Sequence, residues 1–509
     1  MSRSKRVLSG LTLNYTYQGL LMLVGLWLTP FLLRHIGKHD VGLWVVGTQV
    51  VGYLTLLDVG ILGLTPREVA ATTGRGEEEK RKALPKLVGQ LSTILFFQTL
   101  VVALAAILTW TFMPASWLPF RGPIGIILAT FTALFPARIF QAILEGLQEL
   151  TYIGRLQIAI WATSTVVTVG MVEQGYGLYA LAGGWACTQI MTAVSAASRL
   201  WLRHRDAIPR SLPHVSRETW FHYMNRGFWL TFSQITQTLL GGFDVIVIGK
   251  LYGVEMVVPY ACTVKLTQVL TNQPAALMHV AMPGLNELRT SGSRDQILRA
   301  ITALTQAMLL FSGLIGCVIV AVNQNFVTWW VGPSYFSGLP LTVLAVVSMM
   351  LRHWNATGTY SIFCYGYERY IAITMTMDGC LSGILYLVFT KWFGMAGIPL
   401  AAILSVCLIA LPRNLRVLKK ETGVPITGLL RPLWPWFWRF AVILSAALLL
   451  NISVGVLSIW ATGLVAATFG GAYLAVMYRP SLDSVLGTYL MPRLEALGRR
   501  ISWVGAVAR

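Results

Sequence analysis

The chain has 509 residues, of which 55% are hydrophobic and only 12% charged, with a net charge of +19. A soluble domain carries about 25% charged residues, so a mean hydropathy of +0.65 excludes a soluble enzyme built on one core and assigns most of the chain to lipid or to other membrane helices. The basic residues fall in short clusters between apolar runs, which is the pattern of cytoplasmic loops and argues against nucleic acid as a partner.

About 20 apolar residues cross a bilayer as a helix. Taken in chain order, the sequence predicts about fourteen such spans, at roughly 9–34, 41–65, 85–112, 122–147, 151–173, 177–202, 224–249, 255–280, 298–322, 338–364, 367–390, 394–414, 433–453 and 455–478. The first follows a basic stretch, Met1 to Arg6, but is too long for a signal-peptide core and lacks a small-residue cleavage site, so it is expected to stay as an anchor. Pro30, Pro136 and Pro274 interrupt spans, which is tolerated where neighbouring helices or a cavity satisfy the freed backbone groups.

Most of the 39 Lys and Arg fall on one side of this layout, in clusters such as Arg75 to Lys86, Arg199 to Arg217 and Arg413 to Arg431. Arg34, Lys38, Arg121, Lys250 and Lys391 fall on the other. That bias predicts cytoplasmic termini. Cys187, Cys262, Cys317, Cys364, Cys380 and Cys407 lie in or beside apolar spans and form no Cys-x-x-Cys pair, so they read as small apolar residues and not as a disulfide framework or a metal site.

The chain repeats itself. Ile36-Gly37-Lys38 joins two apolar spans, and Ile248-Gly249-Lys250 does something similar about 212 residues later. Gly146-Leu147-Gln148-Glu149 resembles Gly366-Tyr367-Glu368-Arg369, and the turn at Gly175-Tyr176-Gly177-Leu178 resembles Phe393-Gly394-Met395-Ala396, at offsets of about 217–220. An even repeat of six spans gives two lobes of the same orientation. The expected organisation is an all-α integral membrane protein with an N-lobe over 1–204, a basic cytoplasmic link over 205–223, a C-lobe over 224–420, two extra spans over 421–480 and a basic tail over 481–509. The link, with Trp220 and Phe221, reads equally as a surface helix or a tether. Leu486, Leu490, Leu494 and Leu497 in the tail have the spacing of an interfacial helix.

Together with the chain length and the six-plus-six repeat, the run Ile36-Gly37-Lys38, Gly42, Leu57-Asp58-Val59-Gly60, Arg67, Ala70 resembles the polysaccharide transport (Wzx-type) flippases of the multidrug/oligosaccharidyl-lipid/polysaccharide exporter superfamily, over about residues 8–420. The resemblance implies two six-helix lobes around a central cavity that opens alternately to each side. It implies a cargo of oligosaccharide on a polyprenyl pyrophosphate lipid, a bacterial cytoplasmic membrane, and a polysaccharide polymerase complex as a candidate partner besides membrane lipids. The two extra spans resemble the fourteen-span members, which include peptidoglycan-precursor flippases. No His-x-x-x-His, Gly-x-Ser-x-Gly or phosphate-loop motif is present, so neither an enzyme nor an ATP-driven pump is expected. No cofactor is implied; coupling to a proton or sodium gradient stays open.

A flippase needs fixed cations for pyrophosphate and polar or aromatic groups for sugars. Cations within spans cost about 2.5–3.5 kcal/mol at the helix centre and normally serve a purpose. Arg352, Lys265 and Arg138 are such cations, and Arg226 stands at a span start. The first three read either as headgroup contacts or as ties of a helix end or kinked backbone to a neighbour, and Arg226 reads as a guard of the cytoplasmic mouth or as a snorkelling side chain. Asp58, Asp244 and His279 read as ion-coupling groups or structural pairs, and Asp378 is a further acid within a span. Arg67 and Glu68 read as a cytoplasmic gate. Tyr15, Gln18, Tyr53, Gln234, Gln237, Tyr260 and Gln268 are candidate sugar contacts, or an interfacial belt with interhelical hydrogen bonds. The rival readings are an ion-coupled exporter of small amphipathic cations, expected to have an acid-dominated cavity, and a non-transporting assembly scaffold.

Overall fold

The structure, a computed structural model, describes residues 19–20, 24–73, 77–209, 215–269, 271, 294–453 and 455–488. Among these residues there are helices and turns and no strand. The chain forms two compact units, Met1–Val258 and Pro259–Arg509. Eight stretches of described helix are long and apolar enough to cross a membrane, including Lys82–Thr111, Arg294–Trp330 and the 55-residue stretch Glu368–Thr422, which is two crossings in length.

The first unit holds α1 (24–35), α2 (Lys38–Leu54), α3 (Ile61–Thr73), α4 (Glu77–Thr111), α5 (Arg121–Leu134), α6 (Arg138–Gly146), α7 (Leu150–Glu173), α8 (Leu178–Arg203) and α9 (Arg217–Tyr252). Two expected spans are broken. The second stops at Asp58, where Val59 and Gly60 take φ of 46° and 70°, and restarts as α3. The fourth breaks around Pro136 between α5 and α6, because proline has no N–H for the helical ladder. Pro30 lies inside α1 without a break, and Pro274 is outside the described residues.

The break at Gly60 is also a crossing point. A Cβ on Gly60 would meet the carbonyl oxygen of Gly227 on α9, and a Cβ on Gly227 would meet that of Val59. Two glycines let the backbones touch where side chains would hold them apart. Helix α9 begins at Arg217, seven residues before its expected start, with Ser216 accepting from the Thr219 N–H at 3.2 Å. Trp220 and Phe221 therefore belong to its first turns and not to a surface helix or a tether.

The second unit follows from α10 (257–269), which begins at the boundary, with α11 (Arg294–Trp330), α12 (Leu339–Cys364), α13 (Glu368–Phe393), α14 (Gly397–Ser405), a π-helical turn (Val406–Ala410), α15 (Leu411–Thr422), α16 (Ile426–Leu430), α17 (Trp434–Ser453) and α18 (Ile459–Leu482). The extra helices α17 and α18 pack on α11. Tyr473 of α18 is fully buried, its hydroxyl on the Leu309 carbonyl and its ring against Gly313. Asn451 of α17 donates to the carbonyls of Val320 and Ala321 at 2.6 and 3.0 Å. At the start of the tail Leu486 is buried and donates its N–H to Gln306 of α11; Leu490, Leu494 and Leu497 lie outside the described residues.

The internal repeat is visible in the bonds. Helix α6 ends at Gly146 and Gln148 takes φ 62° before α7; helix α12 ends at Cys364 and Gly366 takes φ 82° before α13. The turn matching Gly37 (φ 94°) is Gly253 (φ 87°), four residues beyond Gly249. Ile248-Gly249-Lys250 is helical, so the Ile-Gly-Lys likeness is out of register with the true turn.

Candidate functional site

Helix α6 has the sequence RIFQAILEG. Ile139, Ala142, Ile143 and Leu144 are buried on one side. Arg138, Gln141 and Glu145, at i, i+3 and i+7, share the other and line a cavity of about 320 Å³ together with Gln189 and Thr192 of α8. Gln141 donates to Glu145 at 3.1 Å. Arg138 and Gln189 also line a second cavity of about 170 Å³, with Thr48 of α2, Thr55 just beyond its end, and Trp185 of α8. Gln141 and Thr192 lead into a third, of about 210 Å³, beside Gln157, Trp161 and Ser164. Two of these three cavities thus share the Arg138 guanidinium.

Arg138 is held by rings more than by acids. Its guanidinium carbon lies 5.5 Å from the Phe131 ring centre and 5.7 Å from that of Phe135, a cation–π arrangement. Asp58 is its electrostatic partner, yet forms no ion pair with it within 4.0 Å. The Asp58 carboxylate accepts from the Gly60 N–H at 3.0 Å and caps the start of α3. Nη1 of Arg138 is buried and makes no hydrogen bond.

Within the second unit the equivalent place is bridged by side chains. Asn414 follows Arg413 on α15 as Ala196 follows Ser195 on α8, and both Ser195 and Arg413 accept from a tyrosine hydroxyl at matching places in the repeat. The Asn414 amide bridges to Asn355 at 2.8 Å and Thr359 at 3.0 Å. The alanines Ala193 and Ala196 leave that space open in the first unit.

Arg352 of α12 pairs with Asp378 of α13 at 3.3 Å; their side chains are 30% and 5% exposed. Ser405 donates to the same carboxylate at 2.6 Å. Nη2 of Arg352 is buried without a hydrogen bond. Lys265 of α10 is half-buried, with Cys262 as its electrostatic neighbour and no ion-pair partner among the described residues. Asp244 of α9 is half-buried and within electrostatic reach of Tyr53, which lies beside Gln49. Tyr260 is buried at 4% exposure and Gln268 is exposed. Glu68 lies half-buried on α3. The side chains of Arg67, Arg226, Gln234 and Gln237, and the residues Tyr15, Gln18 and His279, lie outside the described structure.

Sequence reasoning missed Gln141, Glu145, Gln189 and Thr192, although the i, i+3, i+7 spacing on α6 was a usable signal. It also missed His353, which is buried and ties α12 to α11 and to Thr271: one ring nitrogen faces the Ser312 hydroxyl at 2.6 Å and the other the Thr271 carbonyl at 2.7 Å. A carbonyl only accepts, so Nε2 carries the proton and, in the neutral ring, Ser312 donates to Nδ1.

Outside the spans, the turn between α6 and α7 is fixed by Glu149, which accepts from Arg199 at 2.7 Å and His204 at 3.1 Å. Burial alone would raise the Glu149 carboxyl; the two bonds outweigh it and hold it below the ordinary glutamate value.

These features can be set beside known proteins. The family described as polysaccharide biosynthesis protein matches residues 7–289. The chain is 20% identical over 411 residues to the uncharacterized membrane protein EpsK of Bacillus subtilis (strain 168), covering 78% of this chain and 79% of that one. It is 23% identical over 305 residues to a putative O-antigen transporter of Shigella flexneri, covering 56% of this chain and 70% of the relative. In fold it is similar to the lipid II flippase MurJ in an inward closed conformation, with TM-score 0.68, 12% identity and coverage of 92% and 98%. It is also similar to an inward-facing multidrug resistance MATE family transporter of the MOP superfamily, with TM-score 0.62, 12% identity and coverage of 80% and 95%. The chain belongs to the family described as polysaccharide biosynthesis protein, and it is a multi-pass membrane protein that shares its fold with the MurJ and MATE structures.

Proposed function

We propose that the chain moves oligosaccharide repeat units, carried on a polyprenyl pyrophosphate lipid, from the inner to the outer leaflet of a bacterial cytoplasmic membrane for surface polysaccharide assembly. Alternating access of two six-span lobes is the mechanism, with both termini cytoplasmic and a polysaccharide polymerase as the downstream partner. The family and the relative named as a putative O-antigen transporter support the cargo class.

One observation carries the reading. Lys265 and Arg352 are cations within apolar helices, the first without an ion-pair partner among the described residues and the second with an idle buried nitrogen. Each such charge costs about 2.5–3.5 kcal/mol. A pyrophosphate that enters the membrane with its headgroup offsets that cost, and an arginine fork suits two phosphate oxygens at once.

The test is complementation of a strain lacking its own flippase with Lys265→Ala, Arg352→Ala and the double variant, at equal protein level in the membrane. The expected result is loss of surface polymer with lipid-linked repeat units accumulating inside. Full activity of the double variant overturns the assignment.

A further inference from the structure

We propose that the polar cavity inside the first unit is a subsite for an acidic sugar of the cargo, its carboxylate seated on Arg138. This rests on the flippase reading for the class of cargo and adds which sugar chemistry the chain accepts.

The cavity of about 320 Å³ falls within the size range of small-ligand sites, about 300–1,000 Å³. Its polar lining is the mixture that a saccharide ring calls for. Gln141 and Gln189 offer amides, Thr192 a hydroxyl, and the adjoining cavity adds the Trp185 ring. At the junction of the two cavities stands Arg138, whose Nη1 is buried and unbonded. An unmade hydrogen bond from a buried charged group costs more than about 1–3 kcal/mol, so the group is built to meet an acceptor.

The charges decide which acceptor. Arg138 is the one cation among the described residues that line these cavities. Glu145 lines the same cavity, and Asp58 faces the guanidinium from the break between α2 and α3. The Asp58 carboxylate beside the guanidinium and the Glu145 carboxylate on the wall of the same cavity would repel a pyrophosphate with its several charges. A sugar carboxylate brings one charge, and the guanidinium fork matches its two oxygens. The hydroxyl and amide groups then meet the ring. In the second unit the matching place is bridged, with Asn414 donating to Asn355 and Thr359.

The test is saturation-transfer NMR on the purified full-length chain with three probes: methyl β-glucuronoside, methyl β-glucoside and inorganic pyrophosphate. The glucuronoside is expected to bind at least about tenfold more tightly than the glucoside, and Arg138→Gln is expected to erase that preference while leaving pyrophosphate binding unchanged. Ala193→Leu, which fills the cavity from α8 without touching the guanidinium chemistry, is expected to remove glucuronoside binding and so guards against a folding defect in the arginine variant. Equal binding of the two glycosides by the unaltered chain overturns the proposal. So does a preference that survives Arg138→Gln, or loss of pyrophosphate binding in that variant, which would assign Arg138 to the lipid phosphate. Failure of the flippase reading looks different: pyrophosphate would not bind the unaltered chain, whatever the glycosides do.

Discussion

Tyr370 donates its hydroxyl to the carbonyl oxygen of Arg413 at 3.1 Å, and the Arg413 guanidinium stacks over the same ring at 4.4 Å. The first unit repeats the bond with Tyr152 and Ser195 at 3.0 Å, where Arg199 covers the ring at 4.5 Å. A duplicated tyrosine clamp joins the second of two consecutive helices to the next in each unit. Removing one hydroxyl costs about 0.5–1.5 kcal/mol. Tyr152→Phe and Tyr370→Phe are expected to lower thermal stability by similar amounts, and the double variant by their sum, because the two clamps share no partner. Melting of the purified variants by intrinsic fluorescence checks this.

The turn between α6 and α7 adds a pH dependence. The Glu149 carboxyl is held below its ordinary value by Arg199 and His204. Its contribution to stability is therefore present above the unfolded-state value, about 4.3, and is lost as pH falls through the lowered folded-state value. Glu149→Gln is expected to melt at lower temperature than the unaltered chain at pH 7. The difference should shrink as the buffer is taken down through the acid range. A constant difference at all pH values would contradict the linkage.

The crossing of α9 over the break at Gly60 allows no side chain. Gly227→Ala places a Cβ against the Val59 carbonyl, an overpacking typically worth about 1–3 kcal/mol, and loss of folded yield is expected on size-exclusion chromatography. Gly241 lies on the same helix with nothing within 4 Å of a Cβ. Gly241→Ala is expected to be neutral or to stabilise by about 0.4–1 kcal/mol.

Arg352 and Asp378 can be separated into structure and function. Removing one partner of a buried ion pair typically costs about 3–5 kcal/mol, whereas replacing both by apolar residues is often neutral. Arg352→Met is expected to reduce folded protein, and Arg352→Met with Asp378→Leu to restore it. Transport is expected to stay lost in the double variant. Recovery of transport together with stability would reduce Arg352 to a structural tie.

Much of the fold was legible because apolar length and basic loops are one-dimensional signals. The breaks were half legible: Pro136 announces one, but at Asp58-Val59-Gly60 the reason is Gly227, which is remote in sequence. The cavity was less so. Arg138, Gln141 and Glu145 share a face by spacing alone, yet Gln189 and Thr192 sit in the largely apolar pattern of α8, and the space depends on Ala193 and Ala196 being small. The partnership of Arg352 with Asp378 joins different helices and has no local sign. Asn414, which bridges Asn355 and Thr359 in the second unit, looks like an ordinary polar residue at the end of a span.

The most direct measurement is leaflet exchange in vesicles. The chain would be reconstituted into liposomes holding a fluorescently labelled polyprenyl-pyrophosphate oligosaccharide, and a membrane-impermeant quencher added outside. The account predicts that the inner-leaflet label becomes accessible with the unaltered chain and stays protected with Lys265→Ala combined with Arg352→Ala. Protection of the inner leaflet by the unaltered chain, indistinguishable from protein-free vesicles, would contradict it.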